Sequence, residues 1–492
     1  MAQNQQSLQE ESLDPEDWNA MQALGCRMVE DMLEYTRTVR ERPVWRHAPD
    51  KVKANFRRPL PLDPQPTEEI YKEFLDYVLP YPVGNDHPRF WGWVFGTGTV
   101  MGAFAEFLAA GMNTNSGDFD HHSGILIENQ VMEWLKELMG FPADSSGTLT
   151  SGCSAANLIG LAVARNAGAG YDLRREGVRQ SAEPMVLYAS EEIHSSVQKA
   201  VEILGLGSEA LRRIPCDDRF RIDLEALQAS IDRDRREGFL PFSVVGAAGT
   251  VNTGAVDDLE GIADICAEED LWFHIDGAFG AWAKIAPEES HVLKGMERAD
   301  SLAFDLHKWM YMPYEIGCVL VQHEKQHRET FSLTPAYLEK KGEGRGLSSG
   351  AITWFTDYDF QLSRAFRSLK AWMSLKEHGI RKYGRLIKQN IDQARHLGEL
   401  VITAPELELA APVNLNVVCF RFVKPNIGLE RLNEINNEIL LELQEGGIAV
   451  PSSTILNGKF FLRVGHTNHR TRREDFDILV EAVLKIGNQL ST

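Results

Sequence analysis

The sequence predicts an α/β fold organised around a mainly parallel β-sheet. Between about residues 147 and 322, short apolar runs alternate with amphipathic segments in the order strand, loop, helix. Small and polar residues follow the apolar runs, at the sheet edge where open α/β folds bind their ligands. The chain has 492 residues, of which 43% are hydrophobic and 25% charged, and this allows a large core in two or three domains.

The first 85 residues predict helices with little core of their own. One helix should run from Asp17 to about Arg40 and another from Glu68 to Leu79, with a proline-rich connector at Arg58–Pro66 between them. Helices this isolated bury too little surface to be stable alone. We therefore expect this segment to pack on the main body or on a second subunit.

A segment rich in aromatic and glycine residues, HPRFWGWVFGTGTVMG, follows Asp86. Glycines let a backbone approach a ligand closely, but an aromatic turn of the core would have the same composition. The next predicted helix covers Ile127 to Met139, whose apolar residues share one face.

A candidate anion site follows the first predicted strand. The apolar run ends at Thr150, Ser151 and Gly152 break it, and Ser154 opens a helix of small, apolar residues. Free backbone N–H groups and the helix dipole make such a helix start suitable for a phosphate group. Most helices that begin at serine are only capped, so this pattern alone is weak.

The same alternation continues twice more along the chain. A strand at PMVLYAS precedes a helix closed by Gly205, which places His194 in the first turn after a strand, although a histidine there is often only a cap. A strand at PFSVVGAAGT then ends in the loop Thr250–Gly254, before a helix capped by Asp257 or Asp258. His194 and Thr250 should therefore face the same edge of the sheet.

The most informative stretch contains two buried strands that each end in a charged residue. Leu271 to Ile275 run into Asp276, and Ser301 to Phe304 precede the sequence DLHK, which ends at Lys308. A lysine and a buried aspartate at neighbouring strand ends suit pyridoxal phosphate, because the lysine binds its aldehyde as a Schiff base and the aspartate keeps its ring nitrogen protonated. The alternative is a core carboxylate and a lysine in a surface salt bridge.

The last third of the chain predicts a loop and then a smaller α+β domain. Tyr337 lies in a charged, glycine-containing loop of the kind that often closes over a site, although a tyrosine there is more often a docking contact. A helix at Asp359–Glu377 should leave the large domain. The remaining elements are helices at 381–400, 429–443 and 473–490, a strand at 415–423, and a hairpin with Asn457-Gly458 as its turn. We predict domains at 1–85, 86–375 and 376–492.

Charge and cysteine usage exclude several classes of function. The 51 basic and 71 acidic residues give a net charge of −20, which argues against a nucleic-acid or anionic-membrane partner. The six cysteines form no CxxC pair, so we expect neither a zinc site nor a disulfide framework. The chain begins with a polar, acidic stretch and no apolar run approaches about 18 residues, so we expect a cytoplasmic protein.

At these residues the sequence resembles the group II pyridoxal-phosphate-dependent amino acid decarboxylases, the family of aromatic L-amino acid, histidine and glutamate decarboxylases. The resemblance covers nearly the whole chain. It implies the fold of type I pyridoxal-phosphate-dependent transferases, with a seven-stranded, mainly parallel sheet and a smaller C-terminal domain. It also implies a homodimer with active sites shared between subunits, and decarboxylation of a small-molecule L-amino acid to the amine and carbon dioxide. The motifs are HPRF, TSGCSAANL, YASEEIHSSVQKA, GTVNTGAVDDL, HIDGAFG, DLHKW, TPAYL and RAFRSLKAW.

The resemblance assigns roles to individual residues. Lys308 becomes the Schiff-base lysine, Asp276 the partner of the pyridine nitrogen, and His194 the residue that lies over the cofactor ring. Tyr337 becomes the residue of a mobile loop that reaches the partner subunit's site and protonates Cα after carbon dioxide leaves. The other implied cofactor contacts are Gly152, Cys153, Ser154 and His307 at the phosphate, Thr250, and Ala278 on the opposite face of the ring.

Three departures from the family pattern bear on the substrate. Val251 follows Thr250 where a second threonine is common, and Cys153 replaces a glycine or alanine. The stretch NSGDFDHH, with Asp118 and Asp120 before two histidines, replaces a Ser-Pro and an aromatic residue, which weakens the case for an indole or phenol substrate. A solvated loop explains this stretch as well as a substrate contact does, and we expect no metal there.

Two other reaction outcomes stay open at this point. An oxidative decarboxylase that releases an aldehyde, or another carbon–carbon or carbon–sulfur lyase, would share every cofactor residue. Tyr337 argues against the aldehyde route, because phenylalanine at that place goes with that chemistry in the family. A non-catalytic relative that acts as a binding protein is disfavoured by the presence of Lys308, Asp276, His194 and Tyr337 together. The sequence does not name the amino acid.

Overall fold

The computed structural model describes residues 11–117, 121–178, 183–333 and 354–491. The chain divides into two compact units, one formed by residues up to Arg42 together with Arg46–Pro82, and the other by Pro43–Trp45 together with Val83 onwards. Tyr337, Asp118 and Asp120 lie outside the described residues, so their predicted roles stay predictions.

The first unit is helical. Its α-helices are α1 (Trp18–Arg37), α2 (Asp50–Asn55) and α3 (Thr67–Glu73), and α3 continues as a π-helical turn, Phe74–Val78. Asp17 caps α1, because its carboxylate accepts hydrogen bonds from the backbone N–H groups of residues 19 and 20. The predicted helices are present, with ends that differ from prediction by at most three residues at α1.

The second unit contains a seven-stranded sheet in the order β1-β7-β6-β5-β4-β2-β3. Strand β7 is antiparallel to both of its neighbours, and the other paired strands are parallel. The predicted mainly parallel sheet is therefore confirmed. Its strands are β1 (Ser146–Thr150), β2 (Met185–Ser190), β3 (Leu211–Ile214), β4 (Leu240–Ala247), β5 (Trp272–Asp276), β6 (Ser301–Asp305) and β7 (Gly317–Val321).

Two hydrophobic clusters fill the two faces of this sheet, so strands such as β5 and β6 are buried at every residue. The helices of this unit before residue 380 are α4 (Val100–Met112), α5 (Ser123–Met139), α6 (Cys153–Gly168), α7 (Leu173–Glu176), α8 (Ser195–Ile203), α9 (Leu224–Arg236), α10 (Leu259–Glu269), α11 (Leu306–Trp309), α12 (Glu324–Phe331) and α13 (Arg367–His378).

The start of α13 differs from prediction. We expected a helix from Asp359, but the helix begins at Arg367. The buried Arg364 explains the difference, because its guanidinium donates to Glu128 at 2.6 Å and to the carbonyl of Leu149 at 2.7 Å. These contacts hold the chain before Arg367 in an irregular path, and a helical pattern of apolar residues does not reveal them.

The C-terminal part carries a second, antiparallel sheet in the order β10-β11-β9-β8. The predicted hairpin is confirmed, and both turn residues, Asn457 and Gly458, have the positive φ that a type I′ turn requires. The elements are β8 (Leu407–Leu409), β9 (Val417–Phe422), β10 (Ser452–Leu456), β11 (Lys459–Gly465), α14 (Ile380–Thr403), α15 (Leu429–Glu445) and α16 (Arg473–Leu490). The predicted domain boundary near residue 375 lies between the two sheets and stays a prediction. Within the described residues, no helix is both long and apolar enough to span a membrane.

Candidate active site

A cavity of about 430 Å³ lies at the carboxyl ends of β4 and β5. Ala247 of β4 pairs with Asp276 of β5, and Asp276 pairs with Ala303 of β6, so the side chains that follow these strands meet at one edge. The cavity is lined by Val83, Trp93, Val94, Phe95, Glu192, Ile193, His194, Ala247, Gly249, Thr250, Val251, Asp276, Phe279 and Lys308. Four residues predicted from the sequence are therefore brought together: His194, Thr250, Asp276 and Lys308.

Asp276 is buried and surrounded by hydrogen-bond donors. The side chain of Asn157 donates to one carboxylate oxygen at 3.0 Å, and the backbone N–H of Ala278 donates to the other at 3.2 Å. The Cys153 thiol lies 3.5 Å from that second oxygen. Donors of this kind stabilise the ionised carboxylate that a pyridinium nitrogen requires.

His194 caps helix α8 and faces the cavity. Its Nδ1 accepts a hydrogen bond from the backbone N–H of Ser196 at 3.2 Å and lies 2.8 Å from the Ser196 hydroxyl. Burial lowers the pKa of His194, and Lys308 adds to this effect while Asp276 opposes it. The imidazole is therefore neutral at pH 7 and forms one wall of the cavity.

Lys308 follows β6 on the short helix α11. Its Nζ lies 3.0 Å from the carboxylate of Asp305, one helical turn earlier. Burial alone would lower the pKa of Lys308, but the charge of Asp305, helped by Cys153 and Asp276, outweighs burial and raises it. The amine is therefore held as an ammonium ion at neutral pH, in an ion pair inside the fold.

The start of helix α6 lies beside the same carboxylate. The backbone N–H of Cys153 donates to Asp305 at 2.6 Å, and Gly152 precedes it as the helix cap. A side chain at Gly317 would place Cβ 2.6 Å from the Cα of Gly152, so only glycine fits there. At Gly96, Cβ would come within 1.9 Å of the His307 carbonyl oxygen. Glycines thus let three backbone segments meet at the place where the resemblance puts a phosphate.

The other predicted contact residues occupy less direct positions. The Thr250 hydroxyl accepts from the backbone N–H of Ala255 at 3.1 Å and so holds its own loop closed. His307 is buried, its Nδ1 lies 2.9 Å from the Ile316 carbonyl, and burial lowers its pKa. Ala278 contributes its backbone N–H to Asp276, and Ser154 is exposed in the first turn of α6.

The wall opposite Asp276 is apolar and partly aromatic. Trp93 is 53% exposed although its ring packs on Phe95 with centroids 5.6 Å apart. Its backbone has φ of 55°, a left-handed conformation that costs about 1–3 kcal/mol for a bulky residue. A hydrogen bond from Arg463 to the Trp93 carbonyl at 2.6 Å holds this conformation. Trp93 thus lines the cavity with about half of its surface exposed.

Glu192 is the carboxylate of this cavity that has no place in the predicted cofactor contacts. It is half-buried and accepts a hydrogen bond from Asn252 at 2.9 Å. Burial raises its pKa, and the hydrogen bond from Asn252 acts in the opposite direction. Glu192 lines the cavity with Trp93, Phe95 and Val251, so the cavity offers a ligand a carboxylate acceptor in addition to Asp276.

Several residues that contact the predicted site residues are not among those predicted from the sequence pattern. Asp305 stands inside the motif DLHK but was not assigned a role, and Asn157 lies one turn after Cys153 on the same face of α6. His274 is two residues before Asp276, so the alternation of a strand places both on one face. These spacings were available signals. The pairing of Glu192 with Asn252, 60 residues apart, left no local signal.

The donor set fits pyridoxal phosphate. A buried carboxylate, an aldehyde-reactive lysine and an imidazole line one cavity. The start of α6, with its glycine-lined approach, contacts the same Asp305 that pairs with the lysine. Among the described residues, no group of three or more histidine, cysteine, aspartate or glutamate side chains could hold a metal ion. His122 caps helix α5, and the acidic residues of that predicted cluster fall outside the described part.

Comparisons with known proteins agree with this chemistry. Residues 49–423 match the model of the pyridoxal-dependent decarboxylase conserved domain. The chain is 32% identical to an aromatic-L-amino-acid decarboxylase of Bacillus atrophaeus over 96% of both chains, and 28% identical to a phenylacetaldehyde synthase of Petunia hybrida over 92% of this chain and 90% of the other. The crystal structure of Oryza sativa TDC with PLP and tryptamine superposes with a TM-score of 0.89, at 25% identity over 98% of this chain and 100% of that one.

Proposed function

The chain belongs to the pyridoxal-dependent decarboxylase family, and from this premise we propose that its substrate is an aromatic L-amino acid whose ring carries a hydrogen-bond donor. It is an amino acid decarboxylase that uses pyridoxal phosphate to form the amine and carbon dioxide. The substrate class rests on the shape and chemistry of the cavity wall.

Each residue of the site has its own proposed role. When bound, pyridoxal phosphate supplies a ring that accepts the electron pair released with carbon dioxide. Lys308 holds the cofactor covalently, Asp276 keeps a positive charge at its ring nitrogen, and the N-terminus of α6 binds its phosphate. His194 restricts the ring to one plane. Tyr337, by the family resemblance, returns a proton to Cα.

The single observation that carries the substrate class is a carboxylate set in an aromatic wall. The exposed part of Trp93, together with Phe95, offers aromatic surface in the cavity lining on which a planar ring packs well. Glu192 then selects rings with an N–H or O–H group, because a half-buried acceptor favours a donor over an apolar edge. The aromatic lining therefore supports an aromatic substrate, whereas the stretch before His121 had weakened the case for an indole or phenol.

A substrate panel tests the proposal. We expect carbon dioxide release from L-tryptophan, L-tyrosine or L-histidine to exceed that from L-phenylalanine in kcat/KM. Glu192→Gln should reduce this preference about tenfold, since a hydrogen bond to a charged group contributes about 1.5–3 kcal/mol. Glu191→Gln, at the exposed neighbouring position, is the matched control. A faster reaction with aspartate, glutamate or an aliphatic amino acid would exclude the proposed class.

The same incubation separates amine from aldehyde formation. We expect one amine for each carbon dioxide and no hydrogen peroxide. Equal amounts of aldehyde and peroxide would instead assign the oxidative reaction, which the similarity to the Petunia hybrida enzyme makes worth measuring.

The assignment of Lys308 has its own test. Lys308→Ala removes the amine that binds the cofactor aldehyde, so the purified variant should lack the visible absorption band of lysine-bound cofactor. Lys284→Ala, a partly exposed lysine in a surface ion pair with Glu297, should keep it. A band of full strength in Lys308→Ala would contradict the assignment.

We further propose a homodimer that uses the apolar groove of the first unit. Met21, Met28 and Met32 on α1 are each more than a third exposed and line, with Ile70, a groove of about 440 Å³. Met28→Glu should shift sedimentation from dimer to monomer, because it places a charge in an apolar interface. Ile402→Glu, an exposed apolar residue of α14, is the control and should remain dimeric.

The proposed compartment is the cytoplasm. Its support is the six cysteines, all of which are free. Fractionation of cells that express a tagged chain tests it, and recovery in an oxidising compartment would contradict it.

A further inference from the structure

We propose that Asn157 is a positioning residue that orients Asp276 and, through the Ser196 hydroxyl, reinforces the Nε2-protonated tautomer of His194. The inference rests on the proposed function, since it concerns the two groups that face the cofactor ring. Asn157 touches neither the cavity nor the charged lysine. It acts through a chain of hydrogen bonds that runs from the core of the sheet to both groups.

Asn157 is fully buried and uses every polar atom of its amide. Its nitrogen donates to the Asp276 carboxylate at 3.0 Å and to the Ser196 hydroxyl at 3.1 Å. Its oxygen lies 2.9 Å from Nε2 of His274. The Asn157 amide therefore lies between the carboxylate of Asp276 and the imidazole of His274, both on β5.

The direction of each hydrogen bond follows from chemistry. An ionised carboxylate only accepts, so the amide nitrogen of Asn157 must face Asp276, and its oxygen must then accept from Nε2–H of His274. Nδ1 of His274 consequently accepts from the Ser301 hydroxyl, 2.8 Å away. Trp272 completes the chain, because its indole N–H donates to the same hydroxyl at 2.8 Å. Every proton in this chain points towards Asp276.

Burial keeps this chain electrically neutral. His274 is fully buried, and burial lowers its pKa to about 4, with Asp276 opposing the change. A neutral histidine with its proton on Nε2 is the one form that satisfies both neighbours. Asp276 thus accepts a hydrogen bond from the Asn157 amide, and the hydrogen bond between Asn157 and His274 fixes the orientation of that amide.

A second branch leads from Asn157 to His194. The Ser196 hydroxyl accepts from Asn157, so its own proton is free to donate to Nδ1 of His194 at 2.8 Å. The backbone N–H of Ser196 donates to the same Nδ1 at 3.2 Å. With two donors on Nδ1, the neutral imidazole must carry its proton on Nε2. Asn157 is the residue that makes Ser196 a donor in this direction.

The face of α6 that carries Asn157 packs closely against the end of β5. Gly160, nearly one turn further along, would place a Cβ only 2.7 Å from Cε1 of His274, so glycine is required for the helix to approach β5. Cys153, one turn earlier, directs its thiol to Asp276. Successive turns of one helix therefore contact the same strand end.

Two substitutions separate hydrogen bonding from packing. Asn157→Asp keeps the shape of the side chain but puts a carboxylate against Asp276, whereas Asn157→Ala removes the donor and leaves a cavity. A packing role predicts that Asn157→Ala is the more damaging variant. The donor role predicts the reverse order.

The measurement is the affinity of the cofactor-free protein for pyridoxal phosphate, followed by the visible band. We expect binding about tenfold weaker in Asn157→Ala and about a hundredfold weaker in Asn157→Asp, with the band restored at saturating cofactor. Asn436→Asp is the matched control, because Asn436 is also fully buried and hydrogen-bonded but lies on α15 in the C-terminal part. It should bind the cofactor as the wild type does.

Nitrogen-15 NMR of histidine-labelled, cofactor-free protein supplies a second readout, which does not depend on cofactor binding. We expect the His194 signal, assigned by its loss in His194→Asn, to report a neutral ring protonated on Nε2. In Asn157→Asp that signal should shift, since the Ser196 hydroxyl turns to the new carboxylate. A His194 ring protonated on Nδ1, or binding that is weaker in Asn157→Ala than in Asn157→Asp, overturns the inference. A wild-type protein without the visible band would instead overturn the proposed function.

Discussion

The two ends of the cofactor cavity are organised in opposite ways. Around Asp276, neutral donors from Asn157 and Ala278 hold the carboxylate, so this end has the arrangement that the cofactor needs. Around Asp305, the carboxylate itself pairs with the ammonium of Lys308 and accepts the N–H of Cys153. In the proposed assignment, the Lys308 amine reacts with the cofactor aldehyde, and the Cys153 N–H suits the cofactor phosphate.

The difference indicates where cofactor binding requires rearrangement. The ring-nitrogen end can accept its ligand without breaking an existing contact, whereas at the other end a phosphate has to compete with Asp305. Preorganised groups lower the cost of binding, and groups that must exchange partners raise it. Loss of a donor behind Asp276 should therefore weaken cofactor binding, whereas removal of the Asp305 charge at the other end should strengthen it.

The largest expected effect tests the ring-nitrogen end. Asp276→Asn keeps the volume but removes the charge that faces the pyridine nitrogen, so kcat/KM should fall about a thousandfold, as when one partner of a buried ion pair is lost. The visible band should persist, because Lys308 is unchanged. Steady-state kinetics and absorbance spectra measure both. Asp234→Asn, another buried carboxylate, should leave kcat/KM within a factor of about three, and a similar loss there would show a general effect of buried charge removal.

The next prediction concerns the stability of the neutral chain behind Asp276. His274 has a pKa of about 4 in the folded protein and about 6.5 when unfolded, so the unfolded chain binds more protons between these values. The free energy of unfolding should therefore fall as pH drops through this window, with His274 contributing about 3 kcal/mol of the loss. In His274→Gln this part of the pH dependence should disappear.

Urea unfolding of the cofactor-free protein at pH 5 and 7 measures the part of this loss that falls between these pH values, about 2 kcal/mol. His327→Gln is the matched control, because His327 is fully buried and its pKa is also lowered by burial, yet it lies on α12 outside the cavity lining. Both variants should flatten the pH dependence, and only His274→Gln should weaken cofactor binding. If His274→Gln and His327→Gln bound pyridoxal phosphate equally well, His274 would have no role in the cofactor site.

At the phosphate end, Asp305→Asn should strengthen cofactor binding about tenfold. The amide can still accept the N–H of Cys153 but no longer repels a phosphate, and Lys308 loses the partner that raises its pKa. Titration of cofactor-free protein with pyridoxal phosphate measures the change. Asp300→Asn, just before the opposite end of β6, controls for charge alone and should bind as the wild type does. Weaker binding in Asp305→Asn would mean that Asp305 helps to hold the cofactor.

The same contrast explains what the sequence could predict. Strand alternation and a charged residue at each strand end were enough to place Asp276 and Lys308 at one edge, because parallel neighbours end together. The hydrogen bonds of Asn157 and the ion pair of Asp305 join residues far apart in sequence, and no local period reports such pairs. The late start of α13 has the same origin, since Arg364 reaches Glu128.

The smallest effect is expected at Cys153, which touches both ends. Its thiol is a weak donor 3.5 Å from Asp276, so Cys153→Ala should change kcat/KM by no more than about threefold, while its backbone N–H still donates to Asp305. Burial, together with Asp276 and Asp305, raises the pKa of this thiol well above its ordinary value. Little thiolate is then present at pH 8, and iodoacetamide should alkylate the exposed Cys26 long before Cys153. Mass spectrometry of the cofactor-free protein checks the order. Rapid labelling of Cys153 would mean that the carboxylates around it are protonated or displaced, and the contrast between a fixed end and an exchanging end would then be wrong.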